Sequence, residues 1–328
     1  MEIVISRKLK KTPVYDAYWK FACERMTIYY KRVSGDDELL TKDDIIKKHK
    51  FTNAYRAIDR ISQYLIKEII RPDEDSDRDY SDRIFRILLF KTFNKIETWE
   101  SLEHHVGDVS WRNYDFERFN EVLSKKITSN QRIYSAAYIM ASGKKSFGYE
   151  RKHENHLKLL EYMIKDELAK KITDCKNMES LYHLLKKYPT IGEFLAYQYA
   201  TDINYSSITD FSEMEFVKAG PGSIDGISKC FLSNEGYSPE DIIKHVTENQ
   251  DYEFERLGLS FQNLYGRKLK LIDCQNLFCE TGKYARIAYP EYPGVSKRKK
   301  IKQLFRPTSI IEQPCLPEKW NIDFSMER

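Results

Sequence analysis

The segment from residue 188 to residue 229 constrains the fold most, because it places two glycine-containing turns next to stretches with helical patterns. The first turn is Pro-Thr-Ile-Gly at 189–192, and the second is Gly-Pro-Gly-Ser at 220–223. A helix that begins at such a turn presents free N–H groups and the positive end of its dipole, which suit a nucleic-acid phosphate. We therefore predict two helical hairpins that contact DNA phosphates, with ordinary hairpins as the alternative. The turn residues assigned to DNA are Gly192, Gly220, Gly222 and Ser223.

Both turns are predicted to join two helices. The pattern Ser-Glu-Met-Glu at 212–215 is typical of a capping box, and it predicts a helix that opens before the second turn. Asp202 lies where the helix after the first turn is expected to end. Its carboxylate is either a cap or an acid held near a phosphate-binding hairpin.

Few segments carry strand signals, and most of the chain shows helical periodicity. We predict an all-α protein of about a dozen helices in two packed lobes, a size that suits 328 residues. The predicted division is an N-terminal helical lobe at 1–150, a helix-hairpin-helix lobe at 151–288, and a proline-rich basic tail at 289–328. Residues 1–12 are expected to form a short strand or arm.

Residues 51–70 give the clearest helical pattern, with an apolar stripe at helical spacing and Pro72 after its end. Asn53, Arg56, Arg60 and Gln63 follow another face at steps of three and four. This line of polar side chains is either a solvated face or a surface that holds phosphate or contacts a base edge.

The net charge of +4 does not by itself predict a nucleic-acid partner, so any basic surface must come from local clustering. One cluster is visible in the proline-rich tail. Its residues, which we assign to DNA phosphates, are Lys297, Arg298, Lys299 and Lys300. The chain also has 23 tyrosines and 17 phenylalanines, which permit base stacking, although most of these rings are expected in the core.

Several function classes receive no support from the sequence. The six cysteines include no Cys-x-x-Cys pair and no zinc or iron–sulfur spacing, so they are predicted to be reduced thiols in a cytoplasmic protein. No segment reads as a signal peptide or approaches the ~20 apolar residues of a membrane span. Neither glycine-rich loop, at 143–148 or at 220–226, has the Gly-x-x-x-x-Gly-Lys-Ser/Thr order of a P-loop.

Five sequence motifs follow one another along the chain: Phe-Thr-Asn-Ala-Tyr-Arg-Ala-Ile-Asp-Arg at 51–60, Gly-Glu-Phe-Leu-Ala-Tyr-Gln at 192–198, Thr-Asp at 201–202, Gly-Pro-Gly-Ser-x-x-Gly-Ile at 220–227, and Phe-Cys-Glu-x-x-Lys-Tyr at 278–284. Together they resemble the α-glutamyl/putrescinyl thymine pyrophosphorylase family, the amino acid:DNA transferases that hypermodify thymine in phage DNA. The same helical module resembles the helical part of 5-hydroxymethyluracil DNA kinases. The implied fold is that of the helix-hairpin-helix DNA glycosylases.

The pyrophosphorylase resemblance implies that an amine or amino acid displaces pyrophosphate from a pyrophosphorylated thymine in DNA. Cations must then neutralise the leaving group, and a carboxylate must keep the amine deprotonated. The candidates for the cations are Arg56, Arg60, Lys283 and Arg286, and those for the carboxylate are Asp202 and Glu280. Tyr197 or Tyr284 would hold the base outside the stack, and Mg²⁺ would be natural on a pyrophosphate, although no metal is obligatory.

Two alternatives stay open at this stage. One is a DNA glycosylase that uses Asp202 to stabilise a developing cation on the sugar, and the other is a DNA-binding module without catalytic activity. Because the chain has no P-loop, the kinase step is not expected. The resemblance places the protein in a bacterial cell or in a phage-infected one, with DNA and a small amine as partners.

The cysteine spacing generates a first prediction. Purified protein is expected to contain neither iron nor zinc, because no set of cysteines and histidines has the spacing that binds either metal. Elemental analysis of the purified chain checks this, with the buffer as control, and stoichiometric iron or zinc would contradict it.

Overall fold

The computed structural model describes residues 9–36, 40–306 and 311–324. Within these ranges the regular secondary structure is helical, and β-pairing is limited to three isolated antiparallel bridges. The predicted all-α class is therefore confirmed for the described residues.

The helices, in chain order, are α1 Pro13–Val33, α2 Asp44–Lys48, α3 Arg60–Tyr64, α4 Arg71–Glu74, α5 Tyr80–Phe93, α6 Ile96–Val106, α7 Phe116–Thr128, α8 Lys144–Phe147, α9 Lys152–Lys165, α10 Leu168–Thr173, α11 Met178–Lys186, α12 Glu193–Ile203, α13 Pro221–Cys230, α14 Pro239–Glu248, α15 Gln250–Arg256 and α16 Leu271–Ala288. Short 3₁₀ turns occur at Arg56–Ile58 and Glu318–Trp320, and a π-helical stretch at Leu65–Ile70.

The chain forms two compact units. Unit 1 comprises residues 1–59, 213–314 and 322–328, and unit 2 comprises residues 60–212 and 315–321. This division differs from the predicted consecutive lobes with boundaries at 150 and 288. The reason is that α1 packs on α13 and α16, so the N-terminal helix joins the C-terminal half of the chain, and most of the tail belongs to the same unit.

Unit 1 is built around α1. Thr12 caps this helix by accepting the Val14 N–H, and Pro13 occupies its first turn, where the missing N–H costs nothing. Its aromatic face is buried, with Tyr18 against Phe278 of α16 at 4.6 Å between ring centroids. The segment before it contributes to the predicted arm, since residues 10–12 run antiparallel to 230–232. Residues 1–8 of that arm lie outside the described residues.

The glycines of the second motif pack α13 against α16. A Cβ atom at Gly226 would overlap the carbonyl oxygen of Phe278, and one at Gly282 would lie 2.8 Å from the Cα of Gly226. A Cβ atom at Gly222 would overlap the side chain of Cys279. At Gly226 and Gly282 the two helix backbones approach too closely for any side chain, whereas at Gly222 the side chain of Cys279 fills the space.

The predicted helix before the second turn is absent, so the second turn does not belong to a helical hairpin. Residues 213–219 are non-helical, although α13 does begin at the predicted turn with Gly220 as its N-cap. Tertiary contacts hold this segment: Glu213 pairs with Arg267, and Glu240 accepts the Ala219 N–H at 3.1 Å. These partners are remote in sequence, and they override the local capping pattern.

The predicted helix at 51–70 forms only from Arg60 onward, and residues 51–59 do not belong to it. The Asn53 side chain donates to the Ile58 carbonyl at 2.9 Å, and Asp59 accepts the Asn53 N–H at 2.8 Å, so local bonds replace the first helical turns. Asp59 has extended backbone dihedrals, and α3 begins only after it. Arg56 and Arg60 therefore do not share one helix, and they belong to different units.

Unit 2 contains the first hairpin as predicted. Helices α11 and α12 are joined by a turn that ends at Gly192, the N-cap of α12. The central helix of this unit is α5, where Asp79 caps the start and Asn94, in the left-handed region, ends it. Twelve of its fourteen residues are buried, as expected for a helix in the interior of an all-α unit.

The α13–α16 packing generates a stability prediction. Gly226→Ala should destabilise unit 1 by about 1–3 kcal/mol, because the added methyl group must push two helix backbones apart. Gly192→Ala is the matched control, since nothing lies within 4 Å of its Cβ position and its φ of −79° suits any residue. Thermal unfolding of both variants checks this, and equal melting temperatures would contradict the close approach.

Candidate functional site

A group of polar side chains converges in unit 1 from three segments that are far apart in sequence. We call it the polar cluster; its members are Arg25 of α1, Asn53 and Asp59 of the loop before α3, and Glu280 and Lys283 of α16. Three of these five residues are in the set predicted from the sequence.

The loop from 51 to 59 is fixed by α1. The Arg25 guanidinium donates through Nε to the Thr52 carbonyl at 3.0 Å and through Nη2 to Asn53 Oδ1 at 3.0 Å. The Asn53 N–H donates to Asp59 Oδ1 at 2.8 Å. Asn53 thus connects the Arg25 guanidinium to the Asp59 carboxylate through two hydrogen bonds.

Helix α16 closes the other side of the cluster. Glu280 Oε2 accepts the Thr52 N–H at 2.9 Å and a hydrogen bond from the Lys283 ammonium at 2.6 Å. The lysine nitrogen also lies 4.7 Å from the centroid of the Phe51 ring. Both charged side chains are mostly buried, at 9% and 14% exposure, so this ion pair is a fixed part of the site.

The pKa of Asp59 is raised to about 7, chiefly by burial and also by the charge of Glu280. The hydrogen bond from the Asn53 N–H and the guanidinium groups of Arg56 and Arg25 act in the opposite direction. A carboxyl with a pKa near neutrality changes between an acceptor and a donor of protons close to physiological pH, which is the property that acid–base chemistry needs.

Two other predicted residues of unit 1 have structural partners near the cluster. Arg56 is buried, and its backbone N–H donates to Asp273 Oδ1 at 2.9 Å at the start of α16. The Tyr284 hydroxyl donates to Asp43 Oδ2 at 2.7 Å, and its ring lies against Phe21 at 5.6 Å between centroids.

The remaining predicted residues lie in unit 2. Arg60 is exposed and pairs with Glu97 at 3.4 Å, which is a partner on another helix. Asp202 forms an ion pair with Lys91 at 2.9 Å, and both side chains are buried. Tyr197, predicted to stack on a base, is 2% exposed in the interior of this unit.

A basic surface adjoins the polar cluster in unit 1. Residues 48–50 pair with residues 303–305, as shown by the Lys50 N–H to Gln303 carbonyl bond at 3.1 Å. This pairing brings lysines at the end of α2 beside the predicted run. The basic surface consists of the exposed residues Lys48, Lys50, Lys297, Arg298, Lys299, Lys300 and Lys302. Arg286, a predicted phosphate ligand, donates to the Lys300 carbonyl at 3.4 Å.

The basic run is anchored by a buried ion pair. Lys229 and Asp225 of α13 lie 3.3 Å apart with almost no exposure, and Asp225 Oδ1 accepts the Ser296 N–H at 2.8 Å. The Lys229 ammonium also donates to the Gly282 carbonyl at 2.7 Å. The residue before the run is therefore attached to the same two-helix packing that positions Glu280.

Sequence reasoning missed Arg25, the role of Asp59, and the lysines at the end of α2. Asp59 lies within the first motif but is not among the predicted site residues. Lys48 and Lys50 form a visible basic run with their neighbours, yet only a long-range pairing places them beside residues 297–302. Arg25 gives no local signal in its aromatic helix.

Two other kinds of site are absent from the described residues. They contain no group of three or more His, Cys, Asp or Glu side chains arranged to hold a metal ion. No helix among them is both long and apolar enough to cross a bilayer. An open groove of about 520 Å³ lies in unit 2, but none of the predicted site residues line it.

Comparison with known proteins identifies the family. The sequence model of the family described as "5-hmdU DNA kinase, helical domain" matches residues 12–294. A protein of Bacillus phage SP10 named "5-hmdU DNA kinase" is 27% identical over 287 residues, which cover 83% of this chain and 45% of that protein. The chain thus spans less than half the length of this curated relative. No solved structure matches.

These matches correct the resemblance drawn from the motifs. Assignment to the pyrophosphorylase family is wrong, and so is the displacement of pyrophosphate by an amine. The motifs at 51–60 and 278–284 contain four of the five members of the polar cluster, and both lie within the matched region. They are therefore features of the helical module shared with DNA kinases. The chain belongs to the 5-hmdU DNA kinase family and corresponds to its helical domain.

Proposed function

We propose that this chain is the DNA-binding module of a kinase that phosphorylates 5-hydroxymethyldeoxyuridine (5-hmdU) in DNA. The observation that carries the proposal is the family match over residues 12–294, which includes every member of the polar cluster. In this reaction the hydroxymethyl oxygen attacks the terminal phosphorus of a nucleoside triphosphate, and the nucleoside diphosphate leaves. The co-substrate is therefore a phosphate donor, in place of the amine expected from the sequence.

The nucleotide is assigned to a part of the kinase outside the matched region. More than half of the phage relative lies outside the match, and this chain contains no P-loop sequence. The role left to this chain is to bind the DNA and to present the hydroxyl group. Mg²⁺ is expected to accompany the phosphates of the nucleotide donor, because metal ions neutralise their charge during phosphoryl transfer.

The chemistry of the polar cluster suits a base that carries a hydroxymethyl group. Arg25 and Lys283 supply positive charge where a phosphoryl group is transferred, and Asp59 and Glu280 supply hydrogen-bond acceptors for a hydroxyl group. A base inside a duplex is not accessible to side chains held in this way, so the nucleotide must leave the stack.

The basic surface and the hairpin of unit 2 are proposed to hold the DNA backbone. The basic surface has seven cations, none of which has an ion-pair partner among the described residues. At the α11–α12 hairpin, the open space around Gly192 leaves the N-terminus of α12 approachable by a phosphate. In this respect the proposal retains the likeness to helix-hairpin-helix DNA glycosylases. It gives Asp202 no catalytic role, since that carboxylate is buried against Lys91.

Preference for the modified base is the direct test. At pH 8, the chain should bind a duplex with one 5-hmdU about tenfold more tightly than the same duplex with thymine. One hydrogen bond from the hydroxymethyl group to a charged acceptor contributes about 1.4 kcal/mol or more, which gives that ratio. Fluorescence anisotropy with both labelled duplexes measures the two affinities, and equal affinities would contradict the proposal.

The salt dependence of binding tests the basic surface. Replacing Lys297, Arg298, Lys299 and Lys300 with serine should weaken binding to both duplexes. The slope of log K against log salt should fall by roughly one for each phosphate that the variant no longer neutralises. The matched control removes the same charge from exposed sites elsewhere, at Lys20, Lys125, Lys170 and Lys268. If both quadruple variants change the slope equally, residues 297–300 are not part of the interface.

A further inference from the structure

Asp59 has one carboxylate oxygen with a hydrogen-bond partner among the described residues and one without. The described residues give its carboxylate a single hydrogen bond, from the Asn53 N–H to Oδ1. The residue itself is partly exposed, at the end of a loop with extended backbone dihedrals. Its second oxygen therefore keeps its capacity to accept a hydrogen bond.

Asp273 shows what a purely structural carboxylate looks like in the same unit. It is 4% exposed, and both of its oxygens accept backbone N–H groups, Oδ1 from Arg56 at 2.9 Å and Oδ2 from Lys270 at 3.0 Å. These bonds cap α16 and fix the 3₁₀ turn of the loop. Asp59 lies only three residues beyond Arg56, but its bonding is incomplete by comparison.

We propose that Asp59 accepts the hydrogen bond of the 5-hmdU hydroxymethyl group and takes its proton during phosphoryl transfer; this rests on the function proposed above. The hydroxyl oxygen forms its bond to the terminal phosphorus of the nucleoside triphosphate as the bond to the leaving diphosphate breaks. The O–H proton moves to Asp59 Oδ2 and is later released to water. No oxidant or reductant takes part.

The charges that face Asp59 make it a suitable acceptor. Two cations, Arg25 from α1 and Arg56 from the same loop, favour its ionised form, whereas burial and the carboxylate of Glu280 from α16 disfavour it. The result is a pKa of about 7, so the group is basic enough to take a proton and still largely ionised at pH 8. Glu280 is the weaker acceptor, because its Oε2 accepts the Thr52 N–H and is paired with the Lys283 ammonium, whereas the Asp59 carboxylate accepts one backbone N–H.

The pH dependence of base preference tests this assignment. Only ionised Asp59 accepts the hydroxyl proton, so the ratio of the thymine to the 5-hmdU dissociation constant should fall about tenfold from pH 8 to pH 6, as the ionised fraction falls through a pKa of about 7. The ratio cancels any pH effect on backbone binding. In Asp59→Asn the preference should be largely lost at pH 8 and should no longer vary with pH.

Thermal unfolding separates this role from a structural one. Because the pKa of Asp59 in the folded chain lies above that of a free carboxyl, its ionised form costs stability at pH 8, and Asp59→Asn should keep or raise the melting temperature. Asp273→Asn is the matched control. It should lower the melting temperature, since the amide can accept only one of the two N–H groups, and leave the pH dependence of base preference intact.

The outcomes separate this inference from the function on which it rests. A preference for 5-hmdU that is flat between pH 6 and pH 8 and survives in Asp59→Asn would overturn the role of Asp59, while the proposed function stands. No preference in the unmodified chain at pH 8 would overturn both.

Discussion

The close approach of α13 and α16 is the interaction on which the rest of unit 1 depends. Gly226 and Gly282 leave no room for a side chain between the two backbones, and this fixes the position and rotation of α16. One face of α16 is thereby committed to α13, and another directs Glu280 and Lys283 to the loop at 51–53. The same packing buries the Lys229–Asp225 pair that anchors the basic run. A packing constraint therefore positions both the polar cluster and the basic surface.

Holding the Asp59 carboxylate in the polar cluster lowers the free energy of unfolding. An ionised carboxylate with a raised pKa, such as Asp59, is held in the folded chain at a free-energy cost at neutral pH. The loop tolerates this because Arg25, Asn53 and Glu280 fix its backbone by hydrogen bonds that involve two separate helices. Burial also raises the pKa of the structural Asp273, so the oxygen of Asp59 without a partner is the feature that supports a role in proton transfer.

The sequence predicted the secondary structure better than it predicted the roles of individual residues. The all-α class and the hairpin ending at Gly192 follow from local patterns, and the structure has both. The sequence assigned Gly220 and Gly222 to a DNA-binding turn, whereas the structure shows Gly222 and Gly226 packed against α16. The helix predicted at 51–70 forms only from residue 60, because side-chain hydrogen bonds of Asn53 and Asp59 compete with helix formation over its first part, and hydrophobic periodicity does not reveal such bonds.

The site residues were likewise predictable where they belong to local sequence patterns. Asn53, Glu280 and Lys283 could be selected because they belong to recognisable motifs, whereas Arg25 and the paired lysines are brought in by long-range contacts that leave no local pattern. The reaction itself could not be read from these residues, since cations and carboxylates serve pyrophosphate displacement and phosphoryl transfer alike. The match to the kinase family over residues 12–294 is the observation that favours phosphoryl transfer.

Mass spectrometry of the digested DNA tests whether the protein phosphorylates 5-hmdU. The full-length protein would be incubated with a nucleoside triphosphate and DNA containing 5-hmdU, and the DNA would then be digested by a nuclease without phosphatase, so that a phosphate on the base survives. Phosphorylation would give a 5-hmdU species heavier by one phosphate group, and this species should be absent when the DNA carries thymine instead. Unchanged 5-hmdU, an abasic site or an amine adduct would contradict it.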